Sequence, residues 1–545
     1  MLIPTRISSI WQVAREYAGI AEAGGVKNVV CSLSEALVRA GIDVTVFLPY
    51  YGCVTPDRIP GLAPLTTVLE SEIEVACVLY PVAYRTGTLN GVRIILVDSP
   101  VFREKSGVYT YTDADENILR GRFRGHGHFD VDIMNLLLQK SVLFFSKKTG
   151  FAPNILHCQD AHTALLPAYA KTCPVCGSLF SGTSFFVTIH NAGPGYRQTI
   201  HSFERARDLT GFSEQIISQA MLNGIFEPFL CAAQFAALTT VSPWYAQELT
   251  NPRFDSSNGG ISGELCRRGF GITGITNGID YSRYNPTDTR VSLLPFSFNP
   301  ETGDLRGKYL CRDSLLSRIR AEKTAPELVQ HGSLEPPSDA VYFVYHGRIA
   351  RQKGLYALAA AIEQVLAAVP RAVWIITGQG EPELENMLSA MARTHTGRLV
   401  YLRGYERSFA RLCVASGDFL VLPSVFEPCG LEDLIGQIYG TIPVARATGG
   451  LQKILHNETG FLYESGENDG LVLAELCKQL AEQLHSPDPG ADHPFQSLIT
   501  RAALRVHELF NWDQIVQDGY LPLFAEYSSS ASEKRDEFFV EPLTY

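Results

Sequence analysis

Apolar positions along the first fifty residues switch between two spacings. Ser9–Ala14 is a short apolar run, and Asp43–Leu48 (DVTVFL) is rich in β-branched side chains, so both read as strands. Between them Val26, Val29, Val30, Leu33 and Leu37 recur at i, i+3, i+4, i+7 and i+11, which is one face of a helix, and Gly41 supplies its stop. The connecting loop carries Gly19, Gly24 and Gly25. A strand, a glycine-bearing turn and a helix start bring backbone N–H groups and the positive helix end to one point, which suits phosphate.

The second half alternates more regularly. Ala340–Tyr345, Ala372–Thr377, Leu399–Arg403, Asp418–Leu422 and Ile442–Ala445 have strand character. Leu355–Ala368, Pro382–Arg393, Phe409–Ser416 and Leu431–Tyr439 have helical spacing between them. Such alternation predicts βαβ units and a parallel sheet. We therefore expect an α/β protein with two Rossmann-like parallel-sheet domains facing a central cleft. Residues 1–268 would form the first of these domains, 269–515 the second and 516–545 a C-terminal segment with a mobile tail from Ser528. Asn285–Asp339, with its Asn-Pro, Gly-Asp and Pro-Pro signals around one helix, Leu305–Arg320, looks like an inter-domain insertion or the start of the second domain.

Composition narrows the class. At 545 residues, with 46% hydrophobic and 19% charged positions, the chain is long enough for several packed cores and too apolar to be disordered. A net charge of −11 argues against nucleic-acid partners and anionic membranes, which need a basic surface. No apolar run is long enough for a membrane span, and the N-terminus lacks the apolar core of a signal peptide. Twelve cysteines without framework spacing read as reduced thiols in a cytoplasmic protein. Cys173-Pro174-Val175-Cys176 is half of a zinc knuckle with no second half, so no metal is expected.

Candidate chemistry crowds at the ends of predicted strands, where open α/β sheets keep their ligands. HCQDAH (His157–His162), THN within Thr188–Asn191, and ITNGID (Ile275–Asp280) occupy such positions in the first half. RIARQKG (Arg348–Gly354), FEPCGL (Phe426–Leu431) and the Gly449-Gly450-Leu451 turn do so in the second. Arg348 and Lys353 lie five apart on one loop and can both reach a diphosphate, Arg with a planar fork and Lys as a point charge. Glu427 precedes a helix whose first N–H groups, from Cys429, Gly430 and Leu431, can face a sugar or phosphate.

These motifs, with YGTIPV and TGGL, resemble those of bacterial glycogen synthases and plant starch synthases over about Arg15 to Trp512. The resemblance implies the two-domain fold of retaining glycosyltransferases called GT-B. It also implies transfer of glucose from ADP-glucose to the non-reducing 4-hydroxyl of an α-1,4-glucan, with no metal or other cofactor. The partners would be a nucleotide-sugar donor and a glucan acceptor, and no oligomeric state is specified. Arg348 and Lys353 would stabilise the departing diphosphate, Glu427 the glucosyl unit, and His190 would face the reacting carbon. Gly24, Gly25, Lys27, Asn277, Cys429, Gly430, Leu431, Gly449 and Gly450 would bind donor. Tyr109, Asp160, His162 and Asn191 would line the acceptor side, and domain closure would exclude water.

Two positions depart from that pattern. Ile435 stands where many GT-B enzymes carry a second Glu, and Glu22 stands where this family has a donor-binding lysine. Lys27, one turn on, is the expected source of the missing charge. Glu22 motivates a glucan-binding pseudoenzyme as an alternative, and UDP-glucose is the competing donor. A phosphorylase would need a pyridoxal phosphate lysine, for which no signature is present. Asp113-Ala114-Asp115 and Asp130-Val131-Asp132 imitate a metal-binding Asp-x-Asp element but read as solvated or capping acids, and Gly378-Gln379-Gly380 reads as loop packing.

Overall fold

The computed structural model describes residues 7–62, 64–118, 121–173, 177–466, 468–484 and 493–533. Cys176 of the half-knuckle and residues 534–545 lie outside them. The chain divides into two units, one running to Asn277 and resuming at Trp512, the other spanning Gly278–Asn511.

The first unit is built on β1 (Ser9–Val13), β2 (Asp43–Pro49), β3 (Thr66–Val75), β4 (Val78–Leu89), β5 (Val92–Asp98), β6 (Ile155–Gln159) and β7 (Ser184–Ile189). A small separate sheet follows, of β8 (Ile200–His201), β9 (Met221–Leu222) and β10 (Ile225–Phe226). Then β11 (Ala237–Thr240) and β12 (Ile272–Gly274) complete the main sheet in the order β12-β11-β7-β6-β1-β2-β5-β4-β3. Central β1 pairs in parallel with β2 and β6 and is buried along its whole length, which explains its unbroken apolar run. The helix Val26–Arg39 carries the crossover from β1 to β2 and buries Val29, Val30, Leu33 and Leu37.

One edge of this sheet is not parallel. β3 and β4 form an antiparallel hairpin, and β4 runs antiparallel to β5. The sequence hid the hairpin for two reasons. β3 is largely exposed, and the two-residue turn at Ala76 and Cys77 takes positive φ (49° and 62°) without the Asn-Gly or Asp-Gly that advertises such turns.

The second unit holds β13 (Leu328–Leu334), β14 (Val341–His346), β15 (Ala372–Gly378), β16 (Arg398–Gly404), β17 (Phe419–Leu422), β18 (Ile442–Arg446) and β19 (Phe461–Tyr463). Their order is β13-β16-β15-β14-β17-β18-β19, parallel except for the edge strand β13. The segment Asn285–Asp339 is thus the start of the second domain and not an insertion between domains. Its helix, Arg306–Arg320, places Cys311, Leu315 and Ile319 in the core, and β13 extends the sheet. Trp374 and Phe343 stack at 4.8 Å within a second core cluster of the same unit.

The boundaries also differ from those read in the sequence. β12 pairs with β11 from Leu238↔Ile272, so the first sheet reaches past residue 268 and the join falls at Asn277/Gly278. Residues from Trp512 return to the first unit, where Phe524 packs edge-on against Phe186 at 4.8 Å. The helix Leu521–Glu533 carries regular backbone through the serine run that the sequence suggested as the start of a tail. No helix among the described residues is long and apolar enough to cross a membrane.

Candidate active site

In the second unit three strand-end loops meet. β14 leads through Gly347 into the loop of Arg348 and Lys353, β17 into Phe426–Leu431, and β18 into the short turn Gly449–Lys453. They pack backbone to backbone. A side chain at Gly450 would lie 2.0 Å from the Cys429 carbonyl oxygen, and one at Gly378 would lie 1.9 Å from that of Gly347. Glycine at these positions is therefore what lets the loops touch, and the Gly378-Gln379-Gly380 segment packs the Arg348 loop as expected.

Lys353 Nζ donates to the Glu427 carboxylate, and Ser424 Oγ donates to the same carboxylate oxygen at 3.1 Å. Burial works against the ionised Glu427, but the Lys353 charge and these hydrogen bonds prevail and hold its carboxyl below the usual range. Arg348 is exposed on the same loop, and its Nη2 donates to Gln352 Oε1 at 3.4 Å. Behind the loops Lys453 Nζ meets the carbonyls of Cys429, Gly430 and Gly450 and the carboxylate of Asp433. Ile435 is a buried core residue. Ser424, Asp433 and Lys453 were not singled out by the sequence; Asp433 and Lys453 find each other only across two loops, and Ser424 is an ordinary loop serine until its hydroxyl is seen on Glu427.

In the first unit the glycine loop is closed by an acid that the sequence did not flag. Glu16 Oε2 accepts from the N–H groups of Ala23 (3.1 Å) and Gly24 (2.6 Å), and its Oε1 accepts from Tyr109 Oη at 3.1 Å. The anion-binding N–H expected of Gly24 is therefore committed to the chain's own carboxylate, which burial drives above its normal pKa. Glu22 accepts from Lys27 Nζ at 3.2 Å and from the Gly19 N–H at 2.7 Å. Lys27 thus pairs with Glu22 at a partly exposed position.

The His190 ring is equally engaged. Its Nε2 meets Gln159 Oε1 at 2.7 Å, Gln159 Nε2 donates to Gln12 Oε1 at 2.8 Å, and Gln12 Nε2 donates to Ser34 Oγ at 2.8 Å. This chain runs one way only if Nε2 carries the proton, so the neutral ring keeps Nδ1 as its acceptor. Burial pushes its pKa down to about 3. Asp160, at φ 63°, accepts from the N–H groups of His190 (3.0 Å) and Asn191 (3.4 Å), and burial raises its pKa to about 7. His162 lies 5.0 Å from Tyr109, ring to ring, and burial holds its pKa well below normal. Asn191 Oδ1 closes a local turn on the Gly193 N–H. Asn277 ends the unit with its side-chain oxygen buried and without a hydrogen-bond partner among the described residues.

The Asp-x-Asp decoys are not all solvated. Asp115 is fully buried and accepts from the N–H groups of Ser106 and Thr112, and Asp130 pairs with the buried Lys105 at 2.8 Å. Among the described residues, no three His, Cys, Asp or Glu side chains come together as a metal-ligand set.

A family model described as the starch synthase catalytic domain matches residues 9–263, and one described as glycosyl transferases group 1 matches residues 340–483. The glycogen synthase of Thermodesulfovibrio yellowstonii is 30% identical over 482 residues, covering 85% of this chain and 88% of that protein. The chain belongs to the glycogen and starch synthase family. Glycogen synthase from Vibrio cholerae is 27% identical over 531 residues, covering 95% of this chain and 98% of its own. Among solved structures, the catalytic domain of Arabidopsis thaliana starch synthase IV, bound to ADP and acarbose, superposes with a TM-score of 0.75 at 23% identity, covering 96% of this chain and 99% of that one. Sucrose-phosphate synthase from Thermosynechococcus elongatus gives 0.53 at 18% identity, covering 95% and 100%. The fold of this glycogen and starch synthase family member is accordingly the GT-B fold.

Proposed function

We propose that the protein elongates an α-1,4-glucan with glucose from ADP-glucose, retaining the anomeric configuration and using no metal or other cofactor. The observation that carries the proposal is the Lys353–Glu427 pair, set beside Arg348 and the two glycine turns. A departing diphosphate gains charge as its glycosidic bond breaks, and fixed cations stabilise that charge most where water is scarce. Lys353 supplies a point charge and Arg348 a fork that can bind two phosphate oxygens. Glu427, kept ionised by Lys353, can accept hydrogen bonds from the transferred glucose and stabilise positive charge at its anomeric carbon.

The first unit supplies acceptor-side groups that are nearly uncharged: the neutral His190 and His162, and Tyr109. In the step proposed, the anomeric C–O bond to phosphate breaks while a bond to the acceptor 4-oxygen forms on the same face. The 4-hydroxyl proton passes to the leaving phosphate oxygen, giving ADP and a chain longer by one glucose. The test is ADP release in the presence of glycogen, with UDP-glucose in parallel and chain extension measured. Glycogen-dependent release from ADP-glucose is expected. Faster release from UDP-glucose would reassign the donor, and full turnover in Arg348→Ala would sink the phosphate role.

A further inference from the structure

Lys453 sits on the turn after β18 with its side chain only 1% exposed, and its partner Asp433 is 0% exposed. Its Nζ lies 2.7 Å from the Cys429 carbonyl oxygen, 2.8 Å from that of Gly430, 3.0 Å from that of Gly450 and 2.9 Å from Asp433 Oδ1. An ammonium has three N–H donors, so four acceptors at these distances use its full capacity. Three of the four are main-chain carbonyls from two different loops. One N–H suffices for Asp433, so the remaining donors of this buried ammonium are satisfied by the main chain of these two loops and tie them together.

The consequence lies on the far side of each peptide. The peptide bonds are trans and planar, so a carbonyl drawn towards Lys453 turns the next N–H the opposite way. For the Cys429 carbonyl that N–H belongs to Gly430, and for the Gly430 carbonyl it belongs to Leu431. Neither N–H has a hydrogen-bond partner among the described residues. Gly430 allows this arrangement with φ at +72°, and a side chain there would lie 3.2 Å from Lys453 Nζ. The same loop carries Glu427, whose backbone carbonyl accepts from the Gly450 N–H at 2.8 Å.

We propose that Lys453 is a positioning residue for the transfer: it draws three loop carbonyls inward, aims the Gly430 and Leu431 N–H groups at the donor diphosphate, and masks the charge of Asp433 behind them. The role rests on the reading that these loops bind the donor. It adds a cation that never touches substrate to the two that do, and it predicts an effect on donor affinity alone.

The decisive variants are Lys453→Met, close in length, and the double variant Lys453→Met/Asp433→Asn, which leaves no uncompensated charge. The probe is ADP, titrated calorimetrically, with KM measured separately for ADP-glucose and for glycogen. In Lys453→Met the ADP Kd should rise by more than about tenfold, because two charge-assisted N–H contacts lose their aim and Asp433 is unmasked. In the double variant it should still rise by about fivefold, with glycogen KM unchanged. A purely structural role would lower the melting temperature and leave both KM values alone. A double variant binding ADP as the parent does would overturn the aiming role while leaving the donor reading intact. A parent enzyme that fails to bind ADP would overturn both.

Discussion

The two units present the same kind of strand-end loops but handle charge in opposite ways. At the candidate site loops of the second unit the buried ionisable groups are matched cation to anion, Lys353 with Glu427 and Lys453 with Asp433. In the first, Glu16 and Asp160 receive their hydrogen bonds from backbone N–H groups and a tyrosine, and His190 and His162 are held neutral. Lys353 holds the Glu427 carboxyl below its usual range, and Lys453 offsets part of the burial that still raises Asp433 to about 6, whereas groups bonded to neutral donors are pushed towards their uncharged forms with no such offset. One unit therefore offers fixed charge, as a diphosphate requires, and the other a largely neutral polar wall, as sugar hydroxyls require.

The strongest way to break this contrast is to remove a fixed charge. Lys353→Met takes away the cation and leaves Glu427 a largely buried carboxylate without its partner. We expect kcat/KM for ADP-glucose to fall by about 10²–10³-fold in steady-state assays, the loss typical of removing one electrostatic stabiliser. The corresponding first-unit change, His190→Gln, should cost less, because a neutral ring is replaced by a neutral amide. Equal losses in the two variants would erase the distinction.

The pH dependence of stability separates Asp160 from Glu427 by sign. The folded Asp160 holds its proton up to about pH 7, whereas the unfolded carboxyl loses it near pH 4. Across that window the unfolded state binds fewer protons, so this group lowers stability as pH rises, with its full penalty above pH 7. Asp160→Asn keeps an oxygen for the His190 and Asn191 N–H groups, and its melting temperature relative to the parent should rise between pH 5 and pH 8. Glu427 behaves oppositely. Its folded pKa is depressed, so its contribution is present above the unfolded carboxylate range and lost as pH falls through the folded value. Glu427→Gln should therefore be less stable than the parent at pH 7, with the gap closing below about pH 4. Parallel trends in the two thermal-melt series would contradict the charge assignment.

How much of this was legible in the sequence follows from how local each feature is. The parallel strands and crossover helices were readable because each is a continuous apolar segment. β13 was not, since Gln330, His331 and Gly332 break its pattern and an edge strand needs only one buried neighbour. The site residues on strand-end loops were readable by position and by resemblance, but their partners were not. Glu16 closes a loop seven and eight residues away, Gln159 reaches Gln12 across 147 positions, and Lys453 gathers carbonyls from 20 or more residues upstream. Such contacts depend on register and loop packing, which single-chain periodicity does not encode.

A middle-sized effect is expected at Glu16. In Glu16→Ala the Ala23 and Gly24 N–H groups and Tyr109 lose their acceptor together, at about 1–3 kcal/mol for buried donors left unsatisfied. Glu16→Gln retains one acceptor oxygen and should lose about 1 kcal/mol or less by chemical denaturation. If Glu16→Gln were as damaging as Glu16→Ala, the carboxylate charge rather than its acceptor geometry would hold the loop, and the first unit would resemble the second.

The smallest effect concerns the one cation–anion pair in the first unit's glycine loop. Glu22 and Lys27 are 39% and 22% exposed, and such pairs contribute about 0–1 kcal/mol. Because the pair is neutral overall, Glu22 need not repel a diphosphate and Lys27 need not attract one. Lys27→Ala and Glu22→Gln should each change ADP affinity by less than about threefold, in opposite directions, and the double variant should return to the parent value. A tenfold or greater loss in Lys27→Ala, undiminished in the double variant, would mean that Lys27 leaves Glu22 to meet the donor. The first unit would then carry a mobile cation of its own, and the division of fixed charge between the two units would have to be redrawn.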